Sequence, residues 1–205
     1  LVDYMEALFL FFFGNNWSSH LIHSSFMNIL AGLTLYYFLK NFNLQIRYII
    51  FYCISFVTLC YPVSGTPFAY LHSYIFSLIS VMVFILAVKN KSQNFWLLLP
   101  FVCMLSFLSM QTPSSYIILI LSFGLVYYFF ESKDTKNLKF FFLGSVGSLL
   151  LFLIFLYITK TPITNFFYQY ILFPLTIGEG RITSAETAYV IFSDQINFKR
   201  LIGDF

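Results

Sequence analysis

One uncharged stretch, residues 62–73, gathers hydrogen-bonding groups and turn-forming residues, and we expect a binding site there. It offers Ser64, Gly65, Thr66, His72 and Ser73, together with two prolines that are typical of tight turns. Uncharged donors and acceptors of this kind suit a sugar or a lipid-phosphate head group. His72 could act as a general base, a phosphate contact or a metal ligand. It could equally be an interfacial histidine that bonds a loop carbonyl.

A second uncharged stretch, residues 110–115, adds Gln111 and Thr112 as substrate-binding candidates. We expect helices to begin at Ser73 and Ser114, and helix N-termini carry partial positive charge that favours an anionic group. Serine is also a good N-cap, so two well-capped helix starts would explain the same pattern.

The remaining candidate ligands are isolated in the sequence. His20 and His23 are three residues apart, which permits a shared metal, but no carboxylate lies near them in the sequence. Arg181 could clamp a lipid-linked phosphate, or it could contact solvent or lipid head groups. No cofactor is evident, and a divalent metal is compatible with this set of residues.

Carboxylates that could serve as an acid or a base are scarce. Asp3 and Glu6 belong to a short apolar helix predicted at 2–13, and we expect Glu179 in a loop. The sequence contains no Gly-rich phosphate loop, no Ser-His-Asp set and no CxxC motif. It therefore identifies no catalytic residue by spacing alone.

The composition is that of a membrane protein. Hydrophobic residues make up 60% of the chain and charged residues only 9%, against about 25% charged residues in ordinary soluble domains. The net charge of +3 does not indicate nucleic-acid binding, because the lysines do not gather on one face.

We predict an all-α, polytopic transmembrane bundle of about six spanning helices, with residues 1–160 as its core. A span needs about 20 mostly apolar residues; the candidates are 20–39, 47–61, 73–88, 95–110, 114–130 and 138–158. In the last of them Gly144 and Ser148 form a small-xxx-small pair that lets a neighbouring helix approach. Short interfacial helices are predicted on the outer side, at 2–13 with a stop at Gly14 and from Ile163 within the outer segment 161–205.

The positions of the basic residues orient the predicted spans. The first seven all lie in alternate connections, and these are Lys40, Arg47, Lys89, Lys91, Lys133, Lys136 and Lys139. Basic residues collect on the cytoplasmic side of membrane proteins, so we expect stretches 62–73 and 110–115 to be extracytoplasmic. The lipid bilayer is the expected partner, and a bacterial inner membrane is the expected location. We also expect the chain to be a piece of a longer protein.

Local stretches resemble the integral-membrane glycosyltransferases of the GT-C superfamily, in particular the bacterial branch related to protein O-mannosyltransferases and the lipid A aminoarabinose transferase. They are residues 13–16, 61–67 leading to His72 and Ser73, 108–113, and 169–175. This resemblance implies inverting transfer of a sugar from a polyprenyl-phosphate donor to a lipid, glycan or protein acceptor on the outer face. It also implies an acidic catalytic residue in the first outer loop, which would place that residue upstream of Leu1.

Two other function classes are compatible with the sequence. One is a transporter or flippase of lipid-linked glycans, and the other is a glycan polymerase or ligase. Ion-coupled carriers typically have charged residues inside their spans, and none of the six predicted spans has one well inside it. Polymerases and ligases would be expected to carry several arginines in outer loops, where only Arg181 qualifies.

Overall fold

The computed structural model describes residues 1–64 and 68–173, with side chains for 1–60 and 68–173, and this part of the chain is helical without any strand. It forms α1 (Val2–Phe13), α2 (Trp17–Lys40), α3 (Ile46–Ser64), α4 (Ala69–Asn90), α5 (Gln93–Ser109), α6 (Gln111–Ser132) and α7 (Thr135–Ile158). A short helix α8 (Ile163–Phe167) then continues as a π-helical turn, Tyr168–Leu172. The prediction of an all-α protein is confirmed.

The chain divides into two compact units, Leu1–Leu151 and Phe152–Phe205. The division falls inside α7, earlier than the boundary at 160 that the sequence predicts. In the second unit, Phe166 packs edge-on against Phe152 and stacks on Tyr170. The predicted amphipathic stretch from Ile163 is thus helical in its described part.

The turn between α1 and α2 follows directly from its sequence. Gly14 ends α1 with a φ of 86°, in the left-handed region that glycine adopts without a Cβ penalty. Asn16 then caps α2, because its side chain accepts a hydrogen bond from the backbone N–H of Ser19 at 3.0 Å. The predicted stop at Gly14 is confirmed, and α1 folds back against α2.

Each predicted span lies largely within one long helix, but the predicted outer loops are wrong in extent. Stretch 62–73 is mostly helical, since α3 continues to Ser64 and α4 begins at Ala69. Only Met110 separates α5 from α6, so the second stretch is the first turn of a helix. Proline misled the sequence argument here: Pro113 lies in the first turn of α6, where the missing N–H has no helical partner to lose.

Three of the described helices are long and apolar enough to cross a membrane: α4, α6 and α7. At about 1.5 Å per residue, the 22 residues of α4 extend for roughly 33 Å, close to the thickness of a hydrocarbon core. In α4 two thirds of the apolar window is buried by protein, against 11% in α6 and 17% in α7. α4 is therefore the central helix, and the apolar surfaces of α6 and α7 are exposed.

One end of the first unit holds every lysine and arginine of that unit. Lys89 at the end of α4 donates to the carbonyl of Asn41, beyond the end of α2, and its ammonium lies 3.8 Å from the ring centre of Phe42. Asn137 in the first turn of α7 donates to the carbonyl of Lys91 at 3.4 Å. These contacts bring the three basic connections together, as the alternating pattern of charge predicts.

α7 approaches α5 closely at Gly144. A Cβ added to Gly144 would lie 2.3 Å from the carbonyl oxygen of Leu97, whereas one added to Gly147 would meet nothing within 4 Å. The prediction that the small residue at 144 permits a close helix–helix approach is confirmed.

Candidate functional site

The end of the first unit opposite its basic residues contains a cluster of acidic and imidazole side chains. All three histidines of the chain take part in it, together with Glu6. Glu6 comes from α1, His20 and His23 from α2, and His72 from α4. We call these four residues the Glu–His cluster.

Glu6 contacts two histidines at once. Its Oε2 bonds His23 Nδ1, and its Oε1 lies 2.5 Å from His20 Nδ1. The second contact has the separation of an ion pair but not the angles of a hydrogen bond, so Oε1 is a buried oxygen without a hydrogen-bond donor. The expectation that no carboxylate accompanies His20 and His23 is wrong, because the turn at 14–16 folds α1 back onto α2.

His23 and His72 continue the cluster into the unit, and both side chains are fully buried. The Nε2 atoms of the two rings are 3.0 Å apart. His72 Nδ1 lies 2.9 Å from the carbonyl oxygen of Phe68 and must donate to it, because a carbonyl only accepts. A ring of Phe9 stacks on His23 at 4.6 Å between centroids and closes the other side.

These contacts do not make a metal site. The two facing Nε2 atoms are within hydrogen-bond distance of each other, and both Nδ1 atoms bond oxygen acceptors or the Glu6 carboxylate. Within residues 1–64 and 68–173, no three His, Cys, Asp or Glu side chains are grouped so that they could hold a metal ion. The sequence is compatible with a divalent metal but does not predict one, and no step below uses a metal.

Ser73 connects α4 to the α5–α6 junction. Its hydroxyl lies 3.1 Å from the carbonyl oxygen of Met110 and 3.0 Å from the hydroxyl of Ser114. Ser106 donates to the carbonyl of Ser73 at 3.0 Å. The expectation that helices begin at Ser73 and Ser114 is wrong, and with it both the positive helix ends and the N-caps expected there. α4 begins after Phe68 and α6 after Met110, and the two buried serines bond across helices instead.

The other predicted site residues are placed in part. Gln111 is the first residue of α6 and is half-buried, and Thr112 beside it is exposed. Both are adjacent to Met110 and therefore belong to the same end of the unit as Ser73. Ser64 ends α3, but its side chain is outside the described part, as are Gly65, Thr66 and Arg181.

Buried polar side chains continue from the Glu–His cluster along α2. Ser24 and Asn28 are buried one turn apart, and the Ser24 hydroxyl and the Asn28 Oδ1 have no hydrogen-bond partner in the structure. Asn28 lies near the middle of α2. Buried polar atoms without partners are costly, so water or a ligand group at this face would stabilise it.

An apolar cavity of about 410 Å³ lies between α2, α4 and α5. Phe76 lines it one helical turn along α4 from His72, and Leu86 lines it nearer the basic end. Its lining is almost entirely aliphatic and aromatic, with Thr34 and Tyr37 as the polar exceptions. The cavity therefore suits a hydrocarbon chain rather than a polar ligand.

Glu6 is absent from the predicted site because α1 is predicted to be an interfacial helix that lies on the bilayer. A signal was present: Val2, Glu6 and Phe9 recur at helical spacing on one face of α1, which places the carboxylate in the middle of the packing face. The partnership of His23 with His72, which are 49 residues apart, has no comparable signal in the sequence.

Comparison with known proteins found no matching family model, no matching curated protein and no matching solved structure.

Proposed function

We propose that the chain belongs to a membrane glycosyltransferase of the bacterial inner membrane. It would move a sugar from a polyprenyl-phosphate donor to a lipid, glycan or protein acceptor on the extracytoplasmic face. The observation that supports this most is the Glu–His cluster, which places a carboxylate and three imidazoles at the end of the unit without lysine or arginine. Because basic residues collect on the cytoplasmic side of membrane proteins, that end would face away from the cytoplasm.

The chemistry would be a direct displacement at the anomeric carbon. A carboxylate or imidazole removes the proton of the acceptor hydroxyl, the hydroxyl oxygen forms the new glycosidic bond, and the polyprenyl phosphate leaves with the bonding electrons. Glu6 and His23 are groups of this kind within the described residues. The resemblance to GT-C enzymes instead puts the catalytic acid upstream of Leu1, and variants of Glu6 separate these two assignments.

The cavity between α2, α4 and α5 supports a lipid-linked donor. It begins one turn along α4 from His72 and is lined by apolar side chains. A donor whose phosphate lies near Ser73 and Gln111 could place the first isoprene units there. Such a chain is already surrounded by hydrocarbon in the bilayer, so the cavity would orient the donor by packing around the chain rather than by removing it from water.

The proposal includes six spanning helices, α2 to α7. α2 carries a buried polar face with Ser24 and Asn28, and α3 and α5 contain shorter apolar segments than α4. Polar side chains that face protein rather than lipid are tolerated in membrane helices. An alternation of basic and uncharged ends across these helices is expected only if all six cross.

Transport is less well supported. Proton- and ion-coupled carriers place ionisable side chains near the midplane of the bilayer. Here His23 is in the second turn of α2 and His72 in the first turn of α4, so the ionisable groups are near one end of each helix. The buried polar residues nearer the middle, such as Asn28 and Ser80, are uncharged.

The direct test is sugar transfer by the full-length protein in nanodiscs, with a radiolabelled polyprenyl-phosphate sugar and membrane lipid extract as the acceptor source. We expect transfer by the wild type, and a loss of about 10²-fold or more in kcat for Glu6→Gln if Glu6 is the base. His72→Ala, Gln111→Ala and Arg181→Ala test the remaining candidates.

Ser122→Ala is the matched control, since Ser122 is exposed on α6 and bonds only its own helix, at Ile118. A wild type that transfers none of the common polyprenyl-phosphate sugars would contradict the proposal. Near wild-type kcat in Glu6→Gln would exclude Glu6 as the base.

A further inference from the structure

We infer that one proton shared between Glu6 and His23 fastens α1 to α2 and α4, so that the docking of α1 depends on pH. This inference follows from the hydrogen-bond geometry of the Glu–His cluster. It does not depend on the proposed transferase activity.

His72 lies at the inner end of this chain of bonds. His72 Nδ1 carries a proton because it donates to the Phe68 carbonyl at 2.9 Å. In a neutral ring the other nitrogen, Nε2, then has only a lone pair. His23 Nε2, 3.0 Å away, must therefore carry the proton in that contact.

The assignment of protons also determines the outer contact, between His23 and Glu6. With a proton on Nε2, a neutral His23 has a bare lone pair on Nδ1, and that atom bonds Glu6 Oε2. A lone pair and a carboxylate repel each other, so this contact needs one further proton. That proton either makes His23 an imidazolium or makes Glu6 a carboxylic acid, and both forms satisfy all three bonds. An imidazolium at His72, with the His23 proton on Nδ1, would satisfy them too, but it would put the charge on a fully buried ring that does not contact the Glu6 carboxylate.

Loss of that proton leaves no arrangement that satisfies the cluster. If neutral His23 carries its proton on Nδ1, toward Glu6, then its Nε2 lone pair faces the Nε2 lone pair of His72. If His72 then moves its own proton to Nε2, its bare Nδ1 lone pair faces the Phe68 carbonyl oxygen, which still accepts from the backbone N–H groups of Leu71 and His72. Each alternative leaves a buried acceptor unpaired, which costs about 1–3 kcal/mol.

Helix α1 is the element that can move in response. Val2 is its only buried residue, while Phe11 and Phe12 are 81% and 68% exposed. Phe9 packs against His23 and Phe26 of α2, and Glu6 attaches α1 to α2 through His20 and His23. Release of Glu6 into water would relieve the unpaired contact at the expense of α1 packing.

Other titratable groups near this end are few among the described residues. On α1 they are the exposed residues Asp3 and Tyr4. On α2, His20 contacts the second oxygen of Glu6. The α4 residues Tyr70 and Tyr74 are exposed. Because His20 touches Glu6 directly, it is the group that the experiment must separate from the shared proton.

The experiment is hydrogen–deuterium exchange of the full chain in nanodiscs between about pH 5.5 and 8.5, the range in which histidine changes charge. Protection of the α1 amides is corrected for intrinsic exchange, and the α6 amides serve as the internal reference. Because docking of α1 requires one proton, its equilibrium constant falls tenfold per pH unit once the pH exceeds the value at which the undocked pair loses that proton. We expect α1 protection to fall with that slope while α6 protection stays constant.

Three variants separate the proton shared by Glu6 and His23 from other titratable groups. In Glu6→Gln the amide can donate to His23 Nδ1 without an extra proton, so α1 should stay docked and lose the pH slope. Glu6→Ala should reduce α1 protection at every pH. His20→Asn should keep the wild-type slope.

A wild-type protection that does not change with pH would overturn the inference. So would a wild-type slope in Glu6→Gln, or the loss of the slope in His20→Asn, since either would assign the titration to another group. No sugar substrate is present, so these outcomes are independent of whether the protein transfers sugars.

Discussion

Replacing Gly144 by alanine should push α7 away from α5. The new Cβ would lie 2.3 Å from the Leu97 carbonyl oxygen, 2.9 Å from its carbonyl carbon and 3.0 Å from its Cα. Favourable contacts between such atoms are about 3.5 Å or longer, so a helix must shift by roughly 1 Å. All three obstructing atoms belong to the backbone, and no side-chain rotation can relieve the overlap.

Gly147→Ala is the matched control, because a Cβ at that position meets nothing within 4 Å. Both variants gain the same intrinsic helix propensity, about 1 kcal/mol per Gly→Ala exchange. The difference between them therefore isolates the overlap at Leu97. Overpacking of this kind costs about 1–3 kcal/mol, so Gly144→Ala should be less stable than Gly147→Ala by that amount.

Thermal unfolding followed by circular dichroism in nanodiscs measures this difference. For a chain of this size 1 kcal/mol corresponds to a change in Tm of about 2–4 °C, so the two variants should differ by roughly 2–12 °C. Equal melting temperatures, or a more stable Gly144→Ala, would refute the close approach of α7 to α5.

Three further predictions concern the helix ends and the topology. Asp134 accepts hydrogen bonds from the Asn137 backbone and side chain; burial raises the pKa of its carboxyl, but these bonds and that from Tyr128 outweigh burial and lower the pKa overall. The stabilising effect of the ionised Asp134 should therefore be present at neutral pH and be lost as the pH falls through this lowered pKa, below about pH 4. Asp134→Ala should cost about 1 kcal/mol in thermal unfolding at pH 7. Asp134→Asn should retain the cap and lose the pH dependence. Ser73→Ala should cost about 0.5–1.5 kcal/mol in the same assay, because Ser114 loses one partner but keeps the carbonyls of Ser106 and Met110. The double Ser73→Ala, Ser114→Ala variant should cost less than the sum of the two single variants. In a cysteine-free background, Thr112→Cys should react with a membrane-impermeant maleimide added to intact cells, whereas Asn43→Cys should react only after permeabilisation; the reverse pattern would contradict the proposed orientation.

Much of the fold could be predicted from the sequence because its signals are local. Long apolar runs identify α2 to α7, and the stop at Gly14 follows from the conformational freedom of one residue. The alternation of basic residues predicts that three connections meet at one end, as the contacts of Lys89 and Asn137 show. Each of these features depends on residues that are neighbours in the chain.

The lengths of the connections could not be predicted in the same way. Proline, glycine and serine at 62–73 and 110–115 are typical of turns, yet they also fit the first or last turn of a helix. Tertiary contacts decided between these structures. Ser73 and Ser114 bond each other across helices, and that bond is favourable only when both serines are inside helices packed side by side.

The candidate site was predicted only in part for the same physical reason. His72 and Ser73 were identified from their own surroundings in the sequence. The carboxylate that completes the cluster was not, because Glu6 reaches His23 through a reversal of chain direction and His72 through helix packing. Such partners can be inferred from a sequence only when the face that a helix buries is already known.

The central feature of the molecule is which atom carries the proton in each of the hydrogen bonds from Glu6 through His23 to His72. Nitrogen-15 NMR of the imidazole rings measures that order directly, since the chain contains only three histidines and each can be assigned from a His→Asn variant. At a pH at which α1 is docked, we predict a proton on His72 Nδ1, none on His72 Nε2, and a proton on His23 Nε2. In Glu6→Gln, His23 should be neutral with its proton still on Nε2. A proton on His72 Nε2 would contradict the proposed order and with it the shared proton at Glu6.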